Sequence, residues 1–143
     1  MLLAVDIGNT TVTIGLFKEK RLSHHWKICS DRDKTCDEYG AVLLNLFTFA
    51  GLGPAAVKAV ILSSVVPPLT PIFQALSQDL FHVKPLIVGP GLRTGMPILY
   101  EAPLEVGADR VVAAVAAYEK IGGPCIVVDF GTATTFDAVS AKG

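Results

Sequence analysis

Leu2-Leu3-Ala4-Val5-Asp6-Ile7-Gly8-Asn9-Thr10-Thr11-Val12-Thr13-Ile14-Gly15-Leu16-Phe17 is an apolar run, an acidic and polar bend, and a second β-forming run. The pattern predicts a strand, a tight turn and a strand, with Asp6 emerging at a strand end between Val5 and Ile7. Gly8 lets backbone approach a bound anion, and Asn9, Thr10 and Thr11 offer small donors, a chemistry suited to holding phosphate beside a metal. The same pattern returns near the other end, where Val127-Val128-Asp129-Phe130-Gly131-Thr132 again reads apolar, apolar, Asp, apolar, Gly, small polar, with Thr134 and Thr135 continuing the echo. One Asp-x-Gly-x-Thr is what any hairpin turn requires. Two copies of its Asp-x-Gly core, each after an apolar run and followed by small polar residues, favour an internal duplication facing one shared ligand.

The rest of the chain supplies a globular frame. It has 143 residues, about half of them apolar, and a net charge of −1, enough for one ordinary core and against disorder. Its Lys and Arg residues are scattered, with no run longer than Lys20-Arg21, and nothing in them suggests a nucleic-acid surface. No basic segment precedes Asp6, so no secretory signal is expected and a cytoplasmic location is. The uncharged stretches 40–57 and 59–78 are broken by glycines and prolines and are not expected to enter a membrane. Cys29, Cys36 and Cys125 form no Cys-x-x-Cys and are read as buried reduced thiols. His24, His25 and His82 lack zinc-ligand spacing and are read as structural or exposed.

In chain order, Arg21–Ile28 is expected to add a third antiparallel strand. Thr35-Cys36-Asp37-Glu38 has the capping-box form, so a helix is expected to start there, with Leu43, Leu46, Phe47 and Ala50 on its packed face and Gly51 and Pro54 as its stop. Val57–Ser63 reads as a strand buried on both faces, hence a parallel neighbour. The following Ser63-Ser64-Val65-Val66-Pro67-Pro68 segment lines a ligand cleft or is a plain connector. A helix over Leu69–Phe81 and a short strand over Leu86–Val88 come next. Gly89-Pro90-Gly91-Leu92-Arg93-Thr94-Gly95 has the wrong spacing for a dinucleotide loop and is read as a loop, with Arg93 toward an anion as the alternative. Pro103–Arg110 leads into an alanine-rich helix through Tyr118 that closes at Gly122-Gly123-Pro124. Asp109 and Arg110 fall at its start, where charged residues serve helix stability as readily as function. Cys125–Asp129 is expected to be a buried strand and Thr134–Ser140 its hairpin partner.

With both hairpins and Gly107-Ala108-Asp109-Arg110 in view, the order of elements resembles the ribonuclease H-like lobe of the acetate and sugar kinase, Hsp70 and actin superfamily. Within it the chain resembles type III pantothenate kinases, through Asp6–Thr10, Asp37–Gly40, Ser63–Pro67, the segment from Gly95 through Tyr100 to Pro103, Gly107–Arg110 and Asp129–Thr135. The resemblance implies an α/β fold: a mixed five-stranded sheet flanked by helices over 1–123, then the first hairpin of a second similar lobe over 124–143. It also implies ATP-dependent phosphorylation of pantothenate, the first step of coenzyme A synthesis. On this resemblance Asp6, Ile7, Gly8, Asn9, Thr10, Thr11, Val12 and Thr13 would form the first phosphate loop, with Asp6 near magnesium, and Gly131 and Thr132 would contact ATP. Asp129 would hold a monovalent cation, potassium or ammonium. Tyr100, Gly107, Ala108, Asp109 and Arg110 would bind pantothenate, with Asp109 as proton acceptor and Arg110 on the carboxylate. A homodimer with no nucleic-acid or membrane partner is implied too. Family members are longer by most of a second lobe, so weak or absent activity is expected of this chain alone. The competing readings are another small-molecule kinase of the superfamily and a non-catalytic regulatory domain.

Overall fold

A computed structural model describes residues 1–89 and 92–143, which form two compact units, Met1–Ile87 and Val88–Gly143. In the first, β1 (Leu2–Ile7) and β2 (Thr11–Lys18) form the expected hairpin, and β3 (Arg21–Cys29) extends it antiparallel. Helix α1 (Cys36–Phe49) leads to β4 (Ala59–Ser64), parallel to β1, and helix α2 (Thr70–Phe81) leads to the short β5 (Leu86–Ile87), parallel to β4. The mixed five-stranded sheet has the order β3-β2-β1-β4-β5.

Period-two alternation decides which face is covered. Leu3, Val5 and Ile7 of β1 and Val12, Ile14 and Leu16 of β2 are buried in one core with Tyr39, Leu43 and Phe47 of α1 and Phe73 and Leu76 of α2. The intervening residues point the other way. Register sets Asp6 of β1 directly between Thr13 of β2 and Ser63 of β4, a polar row at the carboxyl end of β1. β4 is the expected parallel neighbour, yet it is not buried on both faces: Val60 and Leu62 are buried, Ala59 is exposed and Ile61 half-buried. An apolar run reports hydrophobicity, not how many of its faces are covered.

Thr35 caps α1 as its sequence predicts. Its hydroxyl accepts from the Glu38 backbone at 3.3 Å, and Glu38 accepts from the Thr35 backbone N–H at 2.8 Å and hydroxyl at 2.9 Å. These hydrogen bonds, the backbone one foremost, hold the Glu38 carboxyl below its ordinary pKa, with Lys34 adding to the effect. A depressed carboxylate stabilises the fold above its unfolded pKa, and that contribution is lost as pH falls through the folded value. Thr35→Ala is expected to cost about 1 kcal/mol and to reduce the acid-side slope of the stability profile only in part, since the backbone N–H that Glu38 accepts is kept, read by urea denaturation between pH 3 and 6. At the carboxyl end of α2, His82 rather than a glycine takes the left-handed cap, with φ 56°.

In the second unit, helix α3 (Ala108–Ile121) begins at Gly107 and ends at Gly122, whose φ of 74° closes it. Strands β6 (Cys125–Phe130) and β7 (Thr134–Val139) form the second hairpin. Both strands contact α3. β6 is not the buried strand expected: Ile126, Val128 and Phe130 are exposed, as is Phe136 across from Val128. One face of a two-stranded ribbon meets α3, and the alternate residues face outward. Of the Gly89–Gly95 loop, Pro90 and Gly91 lie outside the described residues. All three cysteines are reduced, but none is fully buried and Cys29 is exposed. Burial and the nearby Asp79 and Asp37 push the Cys36 thiol up, which keeps it an unreactive thiol.

Candidate active site

Two acidic turns and one cleft carry the chemistry-bearing residues. The first turn joins β1 to β2. Gly8 donates its N–H to the Thr11 carbonyl at 3.1 Å, and a Cβ at Gly8 would meet that same oxygen at 3.1 Å, so a side chain there would have to push this carbonyl back by a few tenths of an ångström. Neighbouring segments clamp it. Ser30 donates its hydroxyl to the Gly8 carbonyl at 2.6 Å and its N–H to the Thr10 carbonyl at 3.0 Å, while Arg32 donates to the Asn9 side chain at 3.1 Å. On the other side Val65 donates its N–H to the Ile7 carbonyl at 3.0 Å, which anchors the Ser63–Pro68 segment to the carboxyl end of β1. Ser30 and Arg32 carry no motif, and no spacing rule ties them to the turn.

The second turn, between β6 and β7, repeats the first with one residue fewer. Asp6 pairs with Thr13, seven positions on, whereas Asp129 pairs with Thr135, six positions on. Gly131 donates its N–H to the Ala133 carbonyl at 3.2 Å, the counterpart of the Gly8 bond. Asp129 is exposed beside this turn, and Thr132 is at its tip.

The cleft lies within the second unit and has a volume of about 330 Å³. Tyr100 and Arg110 line it among apolar side chains that include Ile98, Val106, Val111 and Ala114. Gly107 and Ala108 start the helix that carries Arg110. Asp109, its neighbour, is not among the lining residues. One Asp109 oxygen, Oδ1, accepts the Arg110 backbone N–H at 2.8 Å, and Oδ2 has no hydrogen-bond partner among the described residues. Arg110 pairs with Asp137 of β7, donating from Nε at 2.8 Å and from Nη2 to the same Oδ1. Hydrogen bonding to Asp137 is the main cause holding the guanidinium above its ordinary pKa; the Asp137, Tyr100 and Asp109 charges add to it, while burial opposes it. Asp137 carries no motif. Its signal is the alternation of β7, which places an acid on the same side as the buried Val139.

A family model for type III pantothenate kinase matches residues 2–143. The chain belongs to the type III pantothenate kinase family. A pantothenate kinase of this type from Anaeromyxobacter sp. (strain Fw109-5) is 59% identical over 143 residues, and one from Geobacter sulfurreducens is 54% identical over 143. Each alignment covers 100% of this chain and 56% of the relative. The chain thus spans little more than half the length of these relatives. Among solved structures, a Ppx/GppA family member from Aquifex aeolicus aligns with 99% of this chain and 48% of its own, with a TM-score of 0.50 at 16% identity, a likeness of fold alone.

The donor sets can be compared with what a kinase of this type would hold. A magnesium ion bound through phosphates needs one or two carboxylates and several waters, not a protein cage. Among the described residues no cluster of three or more His, Cys, Asp or Glu side chains is arranged as such a cage. The row around Asp6 suits the former arrangement. Ser63 Oγ, next to Asp6 in register, is buried with no hydrogen-bond partner among the described residues, a place for a water of a hydrated ion. Asp129 is an exposed hard oxygen donor beside the second turn.

Proposed function

We propose that the whole protein transfers the γ-phosphoryl group of ATP to the primary hydroxyl of pantothenate. The observation that carries this reading is the cleft itself: Tyr100 and Arg110 meet on an apolar wall beside the start of α3, in a chain that the kinase family matches from residue 2 to 143. Pantothenate is a monocarboxylic acid with an apolar dimethyl centre, and such a cleft offers it a guanidinium and a hydrocarbon surface.

In this reading the turn from Asp6 to Thr13 and the turn at Gly131 and Thr132 hold the phosphates by small side chains and backbone N–H groups. Asp6 holds magnesium, which supplies neutralisation of charge on the phosphoryl oxygens. Asp129 holds potassium or ammonium. Arg110 takes the pantothenate carboxylate, Tyr100 lies along its body, and Gly107 and Ala108 leave room at the helix start. Asp109 Oδ2 orients the hydroxyl and receives its proton. Because a loose phosphoryl-transfer transition state releases that proton late, the orientation of the acceptor matters more than its basicity.

We further propose that residues 1–123 form a first lobe and that 124–143 open a second. The exposed Ile126, Val128, Phe130 and Phe136 support this, since a hairpin with an apolar outer face is marginal in water by itself. A homodimer in the cytoplasm completes the reading. Among the described residues no helix is long and apolar enough to cross a membrane.

The test is mass detection of phosphopantothenate from ATP and pantothenate, with the whole protein and with residues 1–143 separately. The whole protein is expected to turn over in the presence of magnesium and potassium, and the shorter chain to turn over slowly or not at all. No product from the whole protein on pantothenate, with product on another small alcohol, would overturn the substrate assignment.

A further inference from the structure

A guanidinium has two edges that can each grip a carboxylate, one made by Nε and Nη2 and the other by Nη1 and Nη2. In Arg110 the first is taken: Asp137 Oδ1 accepts from Nε at 2.8 Å and from Nη2 as well. Nη1 has no hydrogen-bond partner among the described residues. Both side chains line the cleft, with 31% of Arg110 and 16% of Asp137 exposed. A long arginine side chain otherwise samples many rotamers, and gripping one edge fixes the direction of the other.

We propose that Asp137 is a positioning residue for substrate recognition: by holding the Nε edge of Arg110 it aims the Nη1 edge into the cleft, where that edge takes the carboxylate of the acid substrate. This rests on the reading of Arg110 as the partner of the pantothenate carboxylate. Asp137 also narrows the class of ligand. With one edge of the guanidinium taken by Asp137 a single edge is left, so the cleft takes an acid bearing one carboxylate on an apolar body and has no partner for a second anionic group beside it. A lysine at 110 could not serve both carboxylates in this way, because a compact ammonium has no second planar edge.

The test compares pantothenate with its alcohol analogue, in which hydroxymethyl replaces the carboxylate, in the whole protein and its D137A, D137N and D137E variants. The wild type is expected to favour pantothenate in KM. D137A is expected to shrink the ratio of the two KM values about tenfold, the size of a lost charge-assisted hydrogen bond. D137E should restore part of it, and D137N less, because an amide accepts without the charge. An equal loss on both compounds would make Asp137 a merely structural residue and overturn the inference, as would an unchanged ratio. A wild type that phosphorylates neither compound contradicts the proposed function instead. The inference is then judged on binding: pantothenate must shift the Arg110 Nε–H resonance in the wild type and not in D137A, and no shift in the wild type overturns it.

Discussion

Asp109→Asn is expected to lower pantothenate phosphorylation by the whole protein about 10²- to 10⁴-fold, the usual weight of a positioned proton acceptor, while ATP binding stays near wild type. The geometry separates the two roles of this side chain. Oδ1 already accepts the Arg110 backbone N–H at 2.8 Å, and an asparagine keeps that bond through its carbonyl oxygen. Oδ2 has no hydrogen-bond partner among the described residues, and the substitution turns it into a donor that cannot receive the hydroxyl proton. The helix start is therefore preserved while the chemistry is lost. Single-turnover kinetics with saturating ATP measure the first, and nucleotide titration measures the second. Turnover within a few-fold of wild type would remove Asp109 from the mechanism.

Asp6→Asn is expected to reduce turnover by about 10²- to 10³-fold, as removal of one preorganised electrostatic contact to the transferring group does. It should also raise the magnesium concentration needed for half-maximal activity. Asp6 lies between Thr13 and Ser63 on the face of the sheet away from the α1 and α2 core, so an amide of the same shape leaves that core untouched. The midpoint of urea unfolding, measured alongside, separates a lost metal contact from a loosened hairpin. A variant that loses activity together with its stability, with no change in metal requirement, would mean that Asp6 holds the hairpin together rather than the metal.

How far these residues could be read from the chain differs with the kind of physics involved. The two hairpins were legible because a turn imposes strict local chemistry, whereas which residues of β1 and β2 meet the core is settled by the helices that pack there. The capping box at Thr35 was legible for the same reason. Burial of β4 and β6 was not. Ile126, Val128 and Phe130 are apolar enough for a core, but whether a face is covered depends on what packs there, a long-range fact absent from a local window. The partner of Arg110 was likewise hidden, since Asp137 lies 27 positions away. Its clue is an acid on the strand face that meets a helix, which costs free energy unless something pairs it. The clamps on the first turn, Ser30 and Arg32, belong to this class too: each is ordinary in sequence and acquires its role only when β3 delivers it beside Gly8 and Asn9.

The central proposal, drawn from the repeated sequence pattern, is that the two acidic turns serve one nucleotide. The direct measurement is a backbone amide NMR titration of the whole protein with magnesium and a non-hydrolysable ATP analogue. The account predicts that Gly8, Asn9 and Thr10 and also Gly131 and Thr132 shift along one binding curve with one dissociation constant. Shifts confined to one of the two turns, or two curves with different constants, would contradict it.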